Sequence, residues 1–123
     1  MVAWVNFIMR MGYFLTANSM KWFIDHYLAG NEGSVDSPRV SPLLADDAAV
    51  RCSPPTLVIT AEFDPLRDEG DQYAARLASL GVVTSHVRFS GMFHGFFSML
   101  DFLDDAKSAN ALAASALKSA LDR

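Results

Sequence analysis

The stretch from Pro54 to Gly70 constrains the fold of this chain more than any other. Two prolines precede a short and almost wholly apolar run, Leu57 to Ala61, which is typical of a β-strand buried on both faces. An acidic turn follows, and then a helix for which Asp68 is the expected N-cap. A strand that leads through a tight turn into a helix is the opening of a strand–helix–strand unit. The stretch therefore predicts an α/β fold with a parallel sheet.

The rest of this unit follows directly. Apolar residues recur at helical spacing as far as Leu80, Gly81 ends the helix, and Glu69 and Asp71 are expected in the first turn, where they favour the helix dipole. The run from Val82 to Ser90 is rich in β-forming residues and predicts the second strand. The two strands are expected to be parallel because a helix connects them.

An acid and a histidine follow the two predicted strands. Asp64 comes just after the first strand, and His94, beside the small Gly95, comes just after the second. Open α/β sheets place their chemistry at the carboxyl ends of strands, and an aspartate that orients a histidine is part of a catalytic triad. Spacing alone leaves two structural roles open. An aspartate in such a turn is most often a helix cap, and a histidine among phenylalanines is most often a packed core residue.

The remainder of the chain predicts two more helices and a long connection. Residues 18–29 are amphipathic, with Asn18 or Ser19 as the cap, and His26 on the water-facing side. Residues 30–55 are rich in turn-forming residues, with one short helical turn over residues 44–49. Residues 104–121 form an alanine-rich helix. The apolar stripe of the first helix comprises Met20, Phe23, Ile24, Tyr27 and Leu28, and that of the last comprises Ala109, Leu112, Ala113, Ala116, Leu117 and Ala120.

Composition limits the partners and the compartment. The chain has 123 residues, a net charge of −4 and no basic cluster, so one domain is expected and neither nucleic acid nor an anionic membrane is an expected partner. The apolar amino terminus is interrupted by Asn6 and Arg10, which argues against a membrane span. It favours a segment that packs on the protein, or one that once packed on a part now missing. The single cysteine, Cys52, gives no sign of an oxidising compartment, so a cytoplasmic location is expected.

Several motifs resemble the carboxyl-terminal part of the hormone-sensitive-lipase-like esterases, a branch of the α/β-hydrolase superfamily. They are the run Pro54–Gly70, the segment Gly91–Phe97, the tripeptide at 41–43, and Tyr13–Thr16 leading towards Trp22. The resemblance implies a partial α/β-hydrolase domain over residues 1–123. Residues 1–53 would give a helix and a long loop. Residues 54–123 would give the last two parallel strands of the sheet with their flanking helices, as a strand–helix–strand–helix unit. It also implies that Asp64 is the triad acid, that His94 is the triad base, and that ester hydrolysis needs no cofactor and no metal.

The sequence departs from that family at the nucleophile. No Gly-x-Ser-x-Gly elbow and no His-Gly-Gly oxyanion motif occurs in the 123 residues. Ser90 and Ser98 lie near His94 along the chain, but neither is expected on a strand-to-helix elbow. Without a serine, the acid and the histidine are expected to be inactive by themselves.

Three alternatives stay open on these residues. The chain is the acid-and-base part of an esterase, a non-catalytic interaction module, or a half that a separate serine-bearing chain complements. An ester substrate is expected only with the serine supplied. An exposed edge at the first strand would pair with a second copy, with a partner chain, or with Val2 to Met9 folded back. Trp22, Phe23 and Phe93 are candidates for lining a substrate pocket, although ordinary core packing accounts for each of them.

Overall fold

The computed structural model describes residues 14–30 and 35–122. The apolar amino terminus, and with it the expected pairing of Val2 to Met9, lies outside these residues. The helices and strands follow in the order α1 (Ala17–Tyr27), α2 (Asp47–Arg51), β1 (Thr56–Phe63), α3 (Arg67–Ser79), β2 (Thr84–Phe93) and α4 (Asp104–Leu121), with 3₁₀ turns at Pro42–Leu44 and Phe96–Ser98.

The two strands form a parallel pair, as predicted. Residues face one another in step from Thr56 opposite Thr84 to Ala61 opposite Phe89. Both strands extend further towards their carboxyl ends than the sequence predicts, to Phe63 and Phe93. Between Ala61 and Phe63 the register shifts, because Phe63 lies opposite Phe93. Within the described residues the sheet has two strands.

Side chains of β1 alternate between two apolar clusters, one on each face of the sheet. Ala61 packs with Phe96 and with Ala106 and Ala109 of α4. On the opposite face, Val58 packs against a cluster of Val50, Leu77 and Val82, in which Leu77 is fully buried. This alternation explains why the run is apolar at nearly every position: a strand covered by helices on both faces needs apolar side chains on both.

The carboxyl end of α3 is closed by the glycine that the sequence predicts. Gly81 has a φ of 86°, and its N–H donates to the Ala78 carbonyl at 3.1 Å. The Val82 N–H donates to the Leu77 carbonyl, also at 3.1 Å, and the side chains of Val82 and Leu77 share one apolar cluster. These two bonds form a Schellman motif. Because Val82 belongs to this motif, β2 begins at Thr84 and not at Val82 as the sequence predicts.

The predicted caps of α3 and α1 are wrong. Helix α3 begins at Arg67 with no side-chain cap, and Asp68 lies inside its first turn, where it pairs with Arg67. Helix α1 is capped by Thr16: the Ser19 N–H donates to its hydroxyl at 3.1 Å, and the Thr16 N–H donates to the Ser19 hydroxyl at 2.8 Å. Ser19 therefore occupies the third helical position of a capping box.

The long connection before β1 is anchored by one arginine of α3. The sequence predicts one helical turn over residues 44–49, but the structure has two short elements, the 3₁₀ turn at Pro42–Leu44 and the helix α2, separated by extended backbone at residues 45 and 46. The guanidinium of Arg76 donates to the carbonyls of Leu43, at 2.7 Å, and of Ala45, and pairs with Asp47 at 3.0 Å. A long loop with fixed carbonyls can serve as a wall of a binding site.

Helix α4 has the predicted bounds but buries only part of its predicted stripe. Of that stripe, Ala109 is fully buried, whereas Leu117 is 62% exposed and Ala116 and Ala120 are exposed. Ala106, which lies outside the predicted stripe, is also fully buried. The small side chains allow the amino-terminal half to approach β1 closely. The carboxyl-terminal half extends past the apolar cluster that the two strands provide.

Candidate active site

Asp64 is held at the end of β1 by the turn that it begins. Its Oδ1 accepts the N–H of Leu66 at 2.8 Å, and its carbonyl accepts the N–H of Arg67 at 3.1 Å. This Asx-turn joins the strand to α3, and Pro65 fixes a backbone φ within it. Because Oδ1 is occupied, Oδ2 is the oxygen presented to other groups. The side chain is 15% exposed, so the carboxylate is largely shielded from water.

His94 meets Asp64 as the sequence predicts. The Nδ1 atom of His94 lies 2.9 Å from Oδ2 of Asp64. A carboxylate accepts, so Nδ1 carries the proton and donates it, and in the neutral ring Nε2 then holds the lone pair. Gly95 follows the histidine, and its φ of 85° lets the chain enter the 3₁₀ turn at Phe96. The pair is an oriented imidazole that can accept a proton at Nε2, while the nearby carboxylate stabilises the charged ring.

An apolar groove of about 620 Å³ opens beside His94. Its lining side chains that carry polar groups are His94, Glu69, Ser41 and, through its hydroxyl, Tyr27. The predicted apolar stripe of α1 lines this groove and forms little of the buried core: Phe23 is 58% exposed, and Tyr27 is 73% exposed. The remaining apolar lining residues are Leu15, Met20, Ile24, Leu28, Val35, Val40 and Leu66. The groove can bind the apolar part of a molecule and so place its reacting atom next to the imidazole.

Of the aromatic residues that the sequence singles out for a pocket, Phe23 lines the groove. Trp22 stacks on His26, with ring centroids 3.9 Å apart, and Phe93 stacks on Phe14 at 5.2 Å. His26 lies on the exposed side of α1 as predicted, and its Nδ1 is 2.7 Å from the Trp22 carbonyl.

The two serines near His94 in sequence lie on elements that are not strand-to-helix elbows. Ser90 belongs to β2, and Ser98 lies in the 3₁₀ turn, where its N–H donates to the Gly95 carbonyl at 3.1 Å. The described residues contain no group of three or more His, Cys, Asp or Glu side chains that could hold a metal ion. Over the same residues, no helix is both long enough and apolar enough to cross a membrane.

A second polar cluster, which the sequence analysis missed, joins α3 to both strands. The Thr60 hydroxyl lies 3.1 Å from Oδ1 of Asp71 and 3.1 Å from Nε2 of His86. The same His86 nitrogen is 3.0 Å from Asp71, whose other oxygen binds Arg88. The expectation that Asp71 serves the helix dipole is therefore wrong: it is the fifth residue of α3, and its carboxylate binds the sheet.

This cluster does not have the geometry of a triad. A triad histidine holds the acid with one ring nitrogen and the nucleophile with the other. Here Nε2 of His86 faces both Thr60 and Asp71. Thr60 is 8% exposed, so its hydroxyl requires partners, and the cluster supplies them. The sequence does contain a signal for this cluster. His86 and Arg88 lie on the same face of the predicted strand, and the helix that covers that face carries acidic residues.

The domain is of the hydrolase-type α/β class, because it has parallel strands covered by helices and an acid–histidine pair at the strand ends. Comparison with known proteins gives the same class. The family described as alpha/beta hydrolase fold matches residues 5–98. The carboxylic ester hydrolase LipN of Mycobacterium tuberculosis is 33% identical over 112 residues, which are 91% of this chain and 29% of LipN. The putative alpha/beta hydrolase R526 of Acanthamoeba polyphaga mimivirus is 44% identical over 85 residues, which are 69% of this chain and 24% of that protein.

A solved structure gives the same result. EstE1, a thermophilic and thermostable carboxylesterase cloned from a metagenomic library, aligns with a TM-score of 0.85 and 37% identity, covering 98% of this chain and 39% of EstE1. The chain belongs to the α/β-hydrolase fold family and matches the carboxyl-terminal portion of its esterases. It spans between 24% and 39% of the length of these three relatives.

Proposed function

We propose that this chain provides the acid and the base of a carboxylic ester hydrolase of the hormone-sensitive-lipase-like type, and that the nucleophilic serine comes from sequence outside it. The observation that supports this most directly is the hydrogen bond of 2.9 Å between His94 and Asp64 at the carboxyl ends of two parallel strands. The similarity to LipN and EstE1, both ester hydrolases, supports the reaction class.

In this proposal each residue has a role that follows from its position. His94 Nε2 takes the proton of the serine hydroxyl as the serine attacks the ester carbonyl, and returns it to the leaving alcohol. Asp64 keeps the ring in the required tautomer and stabilises the imidazolium. The groove beside His94 binds an apolar part of the ester. The oxyanion hole, like the serine, is supplied from outside the chain. No metal or cofactor has a role in these steps.

The chain alone is proposed to be inactive. Residual catalysis in a triad that has lost a member comes mainly from the oxyanion hole and from substrate binding. The purified chain is therefore expected to show no saturable turnover of p-nitrophenyl butyrate above that of its His94→Ala variant. Saturable turnover that disappears in His94→Ala would contradict this part of the proposal, because it would reveal a nucleophile within these residues.

The acid and base roles are tested in a chimera. This chain replaces the matched carboxyl-terminal region of LipN, so that LipN provides the rest of the enzyme. We expect ester hydrolysis, and a loss of at least about 10³-fold in kcat with His94→Ala or Asp64→Ala. His26→Ala, a histidine change on the exposed side of α1, is the matched control and should leave kcat within about twofold. A folded chimera whose turnover survives His94→Ala would refute the assignment.

A non-catalytic interaction module is the second candidate. It is favoured by large apolar side chains that are exposed on α4, where Leu117 is 62% and Leu121 is 76% exposed. Such side chains are expected to be covered by another protein surface or by a second copy of the chain. Sedimentation of the purified chain as a monomer over a hundredfold range of concentration would exclude self-association.

The cytoplasm is the compartment that we propose. The single cysteine, Cys52, is exposed and free. An exposed thiol persists most readily where the surroundings are reducing. Fractionation of cells that express the tagged chain should recover it with cytoplasmic markers, and recovery with secreted or membrane fractions would contradict the assignment.

A further inference from the structure

His94 reaches Asp64 because β2 has two residues more than β1 before the strands end. The register is regular as far as Ala61 opposite Phe89, but Phe63 then lies opposite Phe93. In a regular parallel ladder, Met92 would be the residue level with Asp64. Because β2 has two additional residues, each residue at its end lies about 6.6 Å nearer the start of the strand, relative to β1, than in a regular ladder, at 3.3 Å for each residue. His94 then takes the place beside the acid.

The shift by two residues also preserves the direction of side chains. Successive side chains of a strand point to opposite faces, so a shift by one residue would turn the histidine away from the acid. A shift by two brings His94 level with Asp64 on the face that Met92 would otherwise use. The irregular segment of β2 is therefore a device that sets the position of the imidazole.

One carboxylate holds this segment. Oε2 of Glu62 accepts the N–H of Gly91 at 2.7 Å, across the strand pair. Gly91 has a φ of 75°, a conformation that side chains with a Cβ adopt rarely, and a Cβ built there would meet no atom within 4 Å. The carbonyl of Glu62 accepts Nη1 of Arg67 at 2.9 Å, so the same residue also contacts the first turn of α3.

We propose that Glu62 is a positioning residue for His94. Its carboxylate fixes Gly91 in the left-handed conformation, Gly91 fixes the bulge in β2, and the bulge places the His94 ring against Asp64. The contact of 2.9 Å between His94 and Asp64 then depends on a side chain that need not touch either of them. The inference deepens the proposed function, on which its catalytic consequence rests, whereas the geometric part can be tested without any turnover.

The geometric test is the ring proton of His94. In ¹H–¹⁵N spectra of the purified chain, the Nδ1–H that donates to Asp64 should give a slowly exchanging low-field resonance, which His94→Ala assigns. Glu62→Ala is expected to remove or broaden this resonance. Glu62→Gln, whose amide oxygen can still accept the Gly91 N–H, should retain it. Asp101→Ala, which removes an exposed carboxylate elsewhere, is the control and should leave it unchanged.

Gly91→Ala provides a second route to the same bulge. Because no atom would contact the added Cβ, the variant disturbs the backbone conformation without a steric clash. It should lose the His94 resonance even though Glu62 is intact. It also decides the question if Glu62→Ala fails to fold, which a lost cooperative transition in urea would show. A His94 resonance that persists unchanged in a folded Glu62→Ala chain, or in folded Gly91→Ala, would overturn the proposal.

Turnover in the LipN chimera separates the two proposals. There Glu62→Ala should lower kcat on the order of 10²-fold, the size expected for misplacing a catalytic group by about 1 Å, while KM changes little. If His94→Ala leaves the chimera active but Glu62→Ala still abolishes the ring resonance, the proposed function fails and the positioning role stands. If Glu62→Ala keeps both the resonance and kcat, the positioning role fails alone.

Discussion

The close contact between Gly70 and Thr60 gives a stability prediction whose sign depends on one methyl group. A Cβ at position 70 would lie 2.8 Å from Cγ2 of Thr60. That methyl has little freedom to rotate, because the hydroxyl on the same carbon binds Asp71 and His86 and the residue is 8% exposed. Gly70→Ala gains about 0.5–1 kcal/mol in helix propensity and incurs overpacking of about 1–3 kcal/mol. We expect a net loss of about 1 kcal/mol.

The same substitution should stabilise a chain that carries Thr60→Ser. Serine keeps the hydroxyl and its partners but removes Cγ2, so that the helix propensity gain of about 0.5–1 kcal/mol remains. Four proteins form the cycle: wild type, each single variant and the double variant. Urea unfolding followed by circular dichroism gives the free energy of unfolding of each. The cost of Thr60→Ser itself cancels in the comparison.

The reasoning fails if the cycle shows no coupling. A coupling energy below about 0.5 kcal/mol would mean that the helix moves to accommodate the Cβ and that the contact with Cγ2 has no cost. A Gly70→Ala effect of the same sign in both backgrounds would mean that the Thr60 methyl does not decide the sign. The m value should stay constant across the four proteins, since a changed m value would mean altered compactness of the unfolded or native state, or a loss of two-state unfolding.

Three further changes test other parts of the structure. Leu77→Ala, in a fully buried position, should lower the free energy of unfolding by about 2–5 kcal/mol in urea; a loss below about 1 kcal/mol would contradict the packing described. Arg76→Ala removes the donor to the Leu43 and Ala45 carbonyls and should cost about 1–3 kcal/mol, with faster proteolysis within residues 35–47; an unchanged cleavage rate would count against its anchoring role. Lys107 lowers the pKa of Asp104, first through a hydrogen bond and then through its charge. Lys107→Met should therefore raise that pKa towards its ordinary value, which an NMR titration measures. A pKa that did not move would refute the contact.

The sequence predicts the structure correctly where local pattern and topology act together. The bounds of α4 agree with the approximate range that the sequence predicts, because acidic residues and an alanine-rich run define the helix locally. The meeting of Asp64 and His94 followed from topology, since parallel strands bring their carboxyl ends to one edge. Gly81 was recognisable as a helix end because few other residues adopt its φ.

The sequence predicts the wrong role for a residue where a tertiary contact overrides the local signal. Asp68 looked like a cap, but Asp64 had already formed the turn that starts α3, and the helix begins before Asp68. Asp71 looked like a dipole residue, but its carboxylate binds two side chains of β2. The bulge at Gly91 could not be predicted, because it depends on a contact with Glu62 on another strand.

The strand–helix–strand arrangement has a consequence for how such hydrolases can be recombined. The segment between Thr56 and Ser98 contains the acid, the histidine, the bulge and the carboxylate that holds the bulge. A crossover before Thr56 or after Ser98 transfers this geometry intact from one parent to another. A crossover within α3 joins an acid from one parent to a histidine whose register was set by a different partner. Breakpoints inside the unit should therefore be selected against in shuffled libraries of these enzymes.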